Sequence, residues 1–350
     1  MKLIFVHYVI EDRGSAQDMR HYVEAARRLG HDVVLYGLRP LPSPFTYSRD
    51  LEDADAIVFI FEWTTDLQYG DTLDLARLVS AVPRRRRVVI DCDGGYNDPI
   101  TVIGDINHHD APSAKRWVDV CDSLSDKIVQ PTFHPLRHNV GTFFFHAYDP
   151  GWEVPLDRAA KPYGMCYVGN NWFRWRSLRR VLEAAERVRA AVGPIALVGH
   201  GWATPAPWVS PTLVADAYDN DPDYLDGLGV EVVPPVPFHD VIGWMSKAVF
   251  TPVIYRPLFD HLRLVTCRTF ESPAANTIPI FCQDAEFVAE IYGEEAVALA
   301  LPDHDPHELI LDVATHPESY LPVVESIRGR LRERFTYERQ LLQLVEIVKS

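Results

Sequence analysis

Two segments of this 350-residue chain put charged side chains where phosphate and ribose chemistry can be done. In the stretch from Thr266 to Pro279, Arg268 and Glu271 lie three apart on a predicted helix just ahead of an apolar run at Ile278. A carboxylate there can accept hydrogen bonds from both hydroxyls of a ribose. A guanidinium beside it, with helix-terminal amides, can neutralise a diphosphate. The same spacing also fits a surface i,i+3 ion pair of small energetic weight, and spacing alone does not separate the two. The second segment runs from Gly169 through Asn170 to Arg176, with Trp172, Arg174 and Trp175 between. A glycine at a strand end allows a close turn, the following helix N-terminus favours anions, and Arg174 and Arg176 add bidentate phosphate donors.

Two further segments carry groups suited to proton transfer. Asp91-Cys92-Asp93 ends the fourth β-like run, where Asp93 is a candidate general base toward a hydroxyl, with a loop cap as the plainer alternative. The Asp91-x-Asp93 spacing also imitates a metal-binding pair. In Asn107-His108-His109-Asp110 the adjacent imidazoles point different ways, which suits one base, His109, better than two ligands of one metal. Gly14-Ser15 opens a predicted helix and fits either an N-cap or a contact to a substrate.

These residues sit at regular places in an alternating pattern of apolar strands and amphipathic helices. Strands are predicted at Lys2–Ile10, His31–Gly37, Ala56–Phe61, Val88–Asp91, Lys127–Thr132 and Val140–Tyr148. Met19, Tyr22, Val23, Ala26 and Leu29 mark one helix face, closed by Gly30. After a polar, proline-containing stretch from Asp149 to Pro162 the pattern restarts. Strands are predicted at Gly164–Gly169, Pro194–Gly199, Val230–Val233, Val249–Val253, Ile278–Cys282 and Ala296–Leu301, with a helix over Arg176–Val192. Continuous apolar strands between amphipathic helices mean parallel sheets covered on both faces. The expected fold is therefore α/β, with two Rossmann-like doubly wound domains facing across a cleft. Residues 1–150 are read as the first Rossmann-like domain, 151–335 as the second, and 336–350 as a helix packing back on the first.

Composition sets bounds on partners. With 47% hydrophobic and 24% charged residues the chain has the balance of a globular protein. A net charge of -15 works against nucleic acid and anionic membranes as partners. The basic run Arg84–Arg87 is read as a solvated lead into a strand. No apolar run is long enough to span a bilayer, and the first ten residues lack a small-residue cleavage site. Five scattered cysteines with no CxxC pair fit neither a disulfide framework nor zinc, and point to a cytoplasmic setting.

The ordered motifs resemble the donor-binding half of GT-B glycosyltransferases, most closely the spore-maturation (CgeB-like), glycosyl transferases group 1-like proteins. Tyr167-Val168-Gly169-Asn170 with Arg176 is similar to the family's strand-end glycine and downstream arginine. Arg268 to Ala274 is similar to its arginine-x-phenylalanine-glutamate-x-proline-alanine element. His146 to Pro150 sits where such chains cross between domains, and Val230 to Val241 resembles the strand and loop beside the nucleobase. The resemblance implies a nucleoside diphosphate sugar as donor substrate on residues 151–335, its diphosphate neutralised by arginines and helix amides with no metal site, no further cofactor, and a small-molecule or glycan acceptor on residues 1–150. It implies Glu271 on the donor ribose, Arg268 and Arg176 on the diphosphate, and backbone from Val236 to His239 against the base. It places Arg263 where related retaining enzymes carry a second glutamate, and Asn276, which tolerates a left-handed conformation, where they carry a glycine. A sugar-nucleotide epimerase of the same fold and a non-catalytic nucleotide- or sugar-binding protein are the alternatives.

Overall fold

A computed structural model describes residues 1–7, 14–37, 45–62, 75–157, 159–204 and 215–350. The first half contains β1 (Lys2–Val6), α1 (Gly14–Leu29), β2 (Asp32–Tyr36), β3 (Tyr47–Ser48), β4 (Ala56–Phe61), α2 (Leu75–Ala81) and β5 (Arg87–Asp91). It continues with β6 (Thr101–Val102), β7 (Asp105–Ile106), α3 (Ala111–Leu124), β8 (Lys127–Gln130) and β9 (Val140–Thr142). The second half contains β10 (Tyr163–Val168), α4 (Trp175–Arg187), α5 (Arg189–Val192), β11 (Ile195–Val198), α6 (Pro222–Gly227), β12 (Val230–Val233), α7 (Val241–Met245) and β13 (Ala248–Val253). It ends with α8 (Pro257–His261), α9 (Cys267–Ala274), β14 (Ile278–Phe281), α10 (Ala285–Tyr292), α11 (Pro306–Thr315), α12 (Leu321–Arg334) and α13 (Tyr337–Lys349).

The strands form two parallel sheets, ordered β3-β2-β1-β4-β5-β8-β9 and β12-β11-β10-β13-β14, with β6 and β7 a separate antiparallel hairpin. In the first sheet Ile4 pairs with Val34 on one side and Ile57 on the other, and every residue of β4 is buried. In such sheets ligands lie beyond the carboxyl ends of the strands, at the point where the winding reverses. Here those points fall between β1 and β4, and between β10 and β13. His7 and Glu62 directly follow β1 and β4; Gly169 directly follows β10.

One face of the first sheet packs on α1 and α13, where Tyr22, Ala26, Leu341 and Val345 meet Leu3, Phe5 and Val58. The chain crosses between the halves twice, and the crossings lie side by side: Tyr148 N–H donates to the Phe335 carbonyl at 2.8 Å. The apolar run from Phe143 to Tyr148 is predicted as strand, but β9 stops at Thr142. The run is instead the first crossing, and its alternation serves two cores. Phe143, Phe145 and Ala147 enter the first half's core, and Phe144 and Tyr148 the second's.

Other expectations are corrected too. Ala296–Leu301 is a 3-10 turn over Glu294–Leu299 rather than a strand, entered at Gly293 (φ 101°) and tied back where Leu301 N–H donates to Phe281 at 2.7 Å. The helix over Arg176–Val192 breaks at Val188 into α4 and α5. Asn276 is not left-handed; α9 ends in extended backbone at Ala275, and the Asn276 side chain accepts from Asp157 N–H at 3.2 Å. Within Lys2–Ile10 the strand covers Lys2–Val6, and residues 8–10 lie outside the described residues.

A buried ion pair fastens the hairpin of the first half to the second. Asp105, fully buried on β7, receives Arg256 Nε at 2.8 Å, Arg256 Nη2, and the Leu258 N–H at 3.1 Å. Leu258, Leu262 and Leu264 pack there with Ile100 and Val102. Gly94 fits the same contact: it has φ +73°, and a Cβ would lie 2.6 Å from Leu262 Cδ1. Removing one partner of a buried pair strands the other charge, at about 3–5 kcal/mol. Asp105→Ala is expected to lose on that order in urea unfolding. Asp105→Ala with Arg256→Met should lose less than the sum of the single variants, whereas simple additivity would mean that the pair is not coupled.

Candidate functional site

Helix α9 carries the most distinctive charges of the second half. Thr269 Oγ1 accepts the Thr266 N–H at 3.1 Å and closes the first turn. At the other end the buried Arg328 of α12 takes the orphan carbonyls: Nε donates to Pro273 at 2.7 Å, and Nη2 to Ala274 at 3.0 Å and Ala275 at 2.9 Å. Both ends are thus fixed, as helix termini require. Between them Glu271 is 1% exposed and pairs with Arg268 Nη1 at 2.9 Å, the Arg268 side chain being 15% exposed. That burial rules out the surface-pair reading. Apart from the ion pair, neither Glu271 oxygen has a hydrogen-bond partner among the described residues. Burial pushes its carboxyl up, with Asp18 adding to the effect and Arg268 pulling against it.

Opposite it, the first half gathers a buried polar cluster. Asp18 on α1 accepts from Tyr337 Oη at 2.6 Å and from His146 Nδ1 at 2.9 Å. His146 belongs to the first crossing and Tyr337 to the second. His146 Nε2 lies 3.8 Å from Glu62 Oε1, and His7 Nε2 lies 3.8 Å from Glu62 Oε2. Burial works against a charged His146, but the Asp18 and Glu62 carboxylates outweigh it and hold the imidazole up at about 9. Burial lowers His7 to about 4, so it is neutral where His146 is charged. Asp18 and His146 both act electrostatically on Glu271, which links the cluster to α9.

The expected site residues are distributed as follows. Gly169 directly follows β10, and its N–H donates to the Val198 carbonyl at 2.8 Å. Asn170 is exposed; its Oδ1 accepts the His200 N–H at 2.9 Å and its carbonyl the Arg174 Nη1 at 3.1 Å. Arg174 is the N-cap of α4, and Arg176 is exposed in its first turn. Val236 and His239 lie in the turn after β12, Val236 half-buried and His239 exposed beside Asp240. Asp93 is half-buried and acts electrostatically on Glu62. Asp91 is a loop cap, its carboxylate accepting from Gly95 N–H (3.0 Å), Tyr96 N–H (2.7 Å) and Gln130 Nε2 (2.7 Å). His109 is exposed next to Asp110, the N-cap of α3, and is not brought to the cluster; His108 instead contacts the Gly95 carbonyl at 2.6 Å. Arg263 has φ +50° and pairs outward with Glu286 at 2.6 Å and Asp284 at 3.4 Å.

Sequence reasoning misses Asp18, Glu62 and the role of His146. A carboxylate placed immediately after six apolar strand residues is the signal that marks Glu62; Asp18 has no comparable signal, being one polar residue on a mixed helix. Among the described residues no group of three or more histidine, cysteine, aspartate and glutamate side chains is arranged to hold a metal ion. No helix there is long and apolar enough to cross a membrane.

A raised histidine stabilises the fold in its charged form. The His146 contribution is fully present below its ordinary 6.5 and is lost as pH rises through about 9. The melting temperature is expected to fall between those limits, by up to about 3 kcal/mol of stability. His146→Gln should flatten that decline; an unchanged slope would show that His146 is not its source.

Residues 174–346 match the family model described as glycosyl transferase-like. Among solved structures the chain is similar to an alpha-glucosyltransferase in complex with UDP and a 13-mer DNA, at 12% identity over 100% of this chain and 99% of that one, with a TM-score of 0.63. It is also similar to T4 phage beta-glucosyltransferase in complex with UDP-glucose, at 13% identity over 100% and 98% of the two chains, with a TM-score of 0.52. Identities this low carry the fold, which is GT-B. No curated protein matches the sequence.

Proposed function

We propose that this chain, which has the GT-B fold and whose residues 174–346 match the glycosyl transferase-like family, is a glycosyltransferase that moves a sugar from a nucleoside diphosphate donor on residues 151–335 to a hydroxyl-bearing acceptor on residues 1–150. One observation carries the donor half: Glu271 is buried on a helix fixed at both ends, and apart from the Arg268 ion pair its two oxygens lack hydrogen-bond donors among the described residues. A vicinal ribose diol is the complementary partner, because its two hydroxyls satisfy both oxygens at once. Arg268 beside it, and Arg176 with the first-turn amides of α4, supply positive charge toward the diphosphate. Backbone from Val236 to His239, in the turn after β12, is assigned to the base. Developing charge on the leaving diphosphate is then met by arginines and helix amides without a metal ion, the largest catalytic contribution expected of such a site.

The DNA held by one structural neighbour is not carried over, since a net charge of -15 opposes a polyanion; a small molecule or glycan is the better acceptor. Five unpaired cysteines favour a cytoplasmic setting.

Thermal stability against UDP, GDP, ADP, dTDP and CDP tests this, with and without EDTA. A ligand at ~100 times its dissociation constant adds about 2.7 kcal/mol. One diphosphate is expected to raise the melting temperature of the wild type regardless of EDTA, and not that of Glu271→Ala, whose fold should be intact. No shift with any of the five would overturn the donor reading, and a shift abolished by EDTA would overturn metal independence.

A further inference from the structure

The reversal point of the first sheet holds a second pair of unsatisfied atoms, separate from those of Glu271. Glu62 is nine-tenths buried, and the Ser15 hydroxyl of α1 hydrogen-bonds its carboxylate. Its Oε2 has no hydrogen-bond partner among the described residues, and neither has His7 Nε2, 3.8 Å away. Because His7 Nδ1 lies 3.3 Å from the Ile60 carbonyl, the neutral ring carries its proton there, and Nε2 is a bare acceptor. Two bare acceptors thus converge just beyond hydrogen-bond distance from each other. What satisfies them is a donor, and a hydroxyl is the smallest one a sugar acceptor brings.

We propose that Glu62 is the general base of the transfer, taking the proton of the acceptor hydroxyl on Oε2 while His7 flanks that hydroxyl. The assignment rests on the donor reading above. The proton passes from the acceptor oxygen to Glu62, and that oxygen bonds to the anomeric carbon. The bond from that carbon to the phosphate oxygen breaks, and its electron pair leaves with the diphosphate. Attack by an externally activated hydroxyl, opposite the leaving group, inverts the anomeric configuration.

Basicity separates the two acceptors. Burial pushes the Glu62 carboxyl up to about 7, with Asp18 and Asp93 adding to it and His146 and Ser15 opposing. Burial takes His7 down to about 4, so Glu62 is the stronger base. The groups facing Glu62 come from every described element around it: His7 after β1, Ser15 and Asp18 on α1, Cys92 and Asp93 after β5, and His146 on the crossing. From α9, Cys267 feels Glu62, and Glu271 acts on Asp18 and His146. Asp18 and His146 are positioning residues, since the imidazolium held between two carboxylates fixes the Glu62 side that faces away from His7.

The test uses the full chain, whichever diphosphate raises its melting temperature, and that nucleotide's conjugates of glucose, galactose, mannose and N-acetylglucosamine. Water serves as the acceptor, and diphosphate release is followed from pH 5 to 9. Glu62→Gln is expected to keep the diphosphate-induced melting shift and to lose release by ~10²- to 10⁴-fold. The wild-type rate should rise with pH through about 7, as the base deprotonates, and that limb should vanish in the variant. In Glu62→Ala, formate should restore part of the release, and the first-formed sugar should be inverted. Binding intact with release and pH limb unchanged in Glu62→Gln overturns the proposal. So does retention of configuration, or a wild type that binds diphosphate yet releases none at any pH. A wild type that binds no diphosphate fails at the melting step instead, which removes the donor reading and this one with it.

Discussion

A single buried carboxylate, Asp18, holds together the part of the molecule on which everything else depends. It accepts a hydrogen bond from each of the two strands of chain that join the halves, through His146 on one and Tyr337 on the other. Buried charge is tolerated only when paired and hydrogen-bonded, so the crossings cannot drift without exposing an unsatisfied group. The alternating phenylalanines of the first crossing work in the same direction, because each neighbour is anchored in a different core. The joint between the halves is thus tied by hydrogen bonds and by packing into both cores.

From that joint the charge arrangement follows. His146 is held as an imidazolium between Asp18 and Glu62, and both members of the Asp18–His146 pair are felt by Glu271. Glu62 and Glu271 each keep unsatisfied oxygens, one at the reversal point of the first sheet and the other on a helix of the second half. Parallel sheets leave such a place beyond their carboxyl ends, and Glu62 stands in that of the first sheet. Among the described residues neither carboxylate has a complete set of partners.

Two supports keep those carboxylates in register. Arg328 spends its guanidinium on the last carbonyls of α9 and on the Val154 carbonyl of the chain leaving the first crossing, at 2.9 Å. The helix that carries Glu271 is thereby tied to the joint. The Arg256–Asp105 pair makes a second tie between the halves, on the far side of the loop that contains Asp93 and Gly94. Neither arginine points at a ligand. Both fix backbone, and their burial makes that fixing strong.

Sequence by itself determined the repeat of strand and helix, and hence the two sheets, because burial on both faces leaves continuous apolar runs that cannot be mistaken for one-sided strands. It also singled out Arg268 and Glu271, since a charged pair ahead of an apolar strand is visible as spacing. It could not decide whether that pair was exposed; only the packing of α9 under Arg328 and against the first half did so. Nor could it find the Asp18, Glu62 and His146 cluster, whose members are separated by more than forty residues and meet because three different elements end at one place. Where local periodicity conflicted with tertiary contacts, tertiary contacts prevailed: Phe143 to Tyr148 reads as strand because it alternates, yet its alternation is spent on two cores. His109 and His108 are adjacent in sequence and equivalent in composition, and only the fold turned one toward the Gly95 loop and the other to solvent.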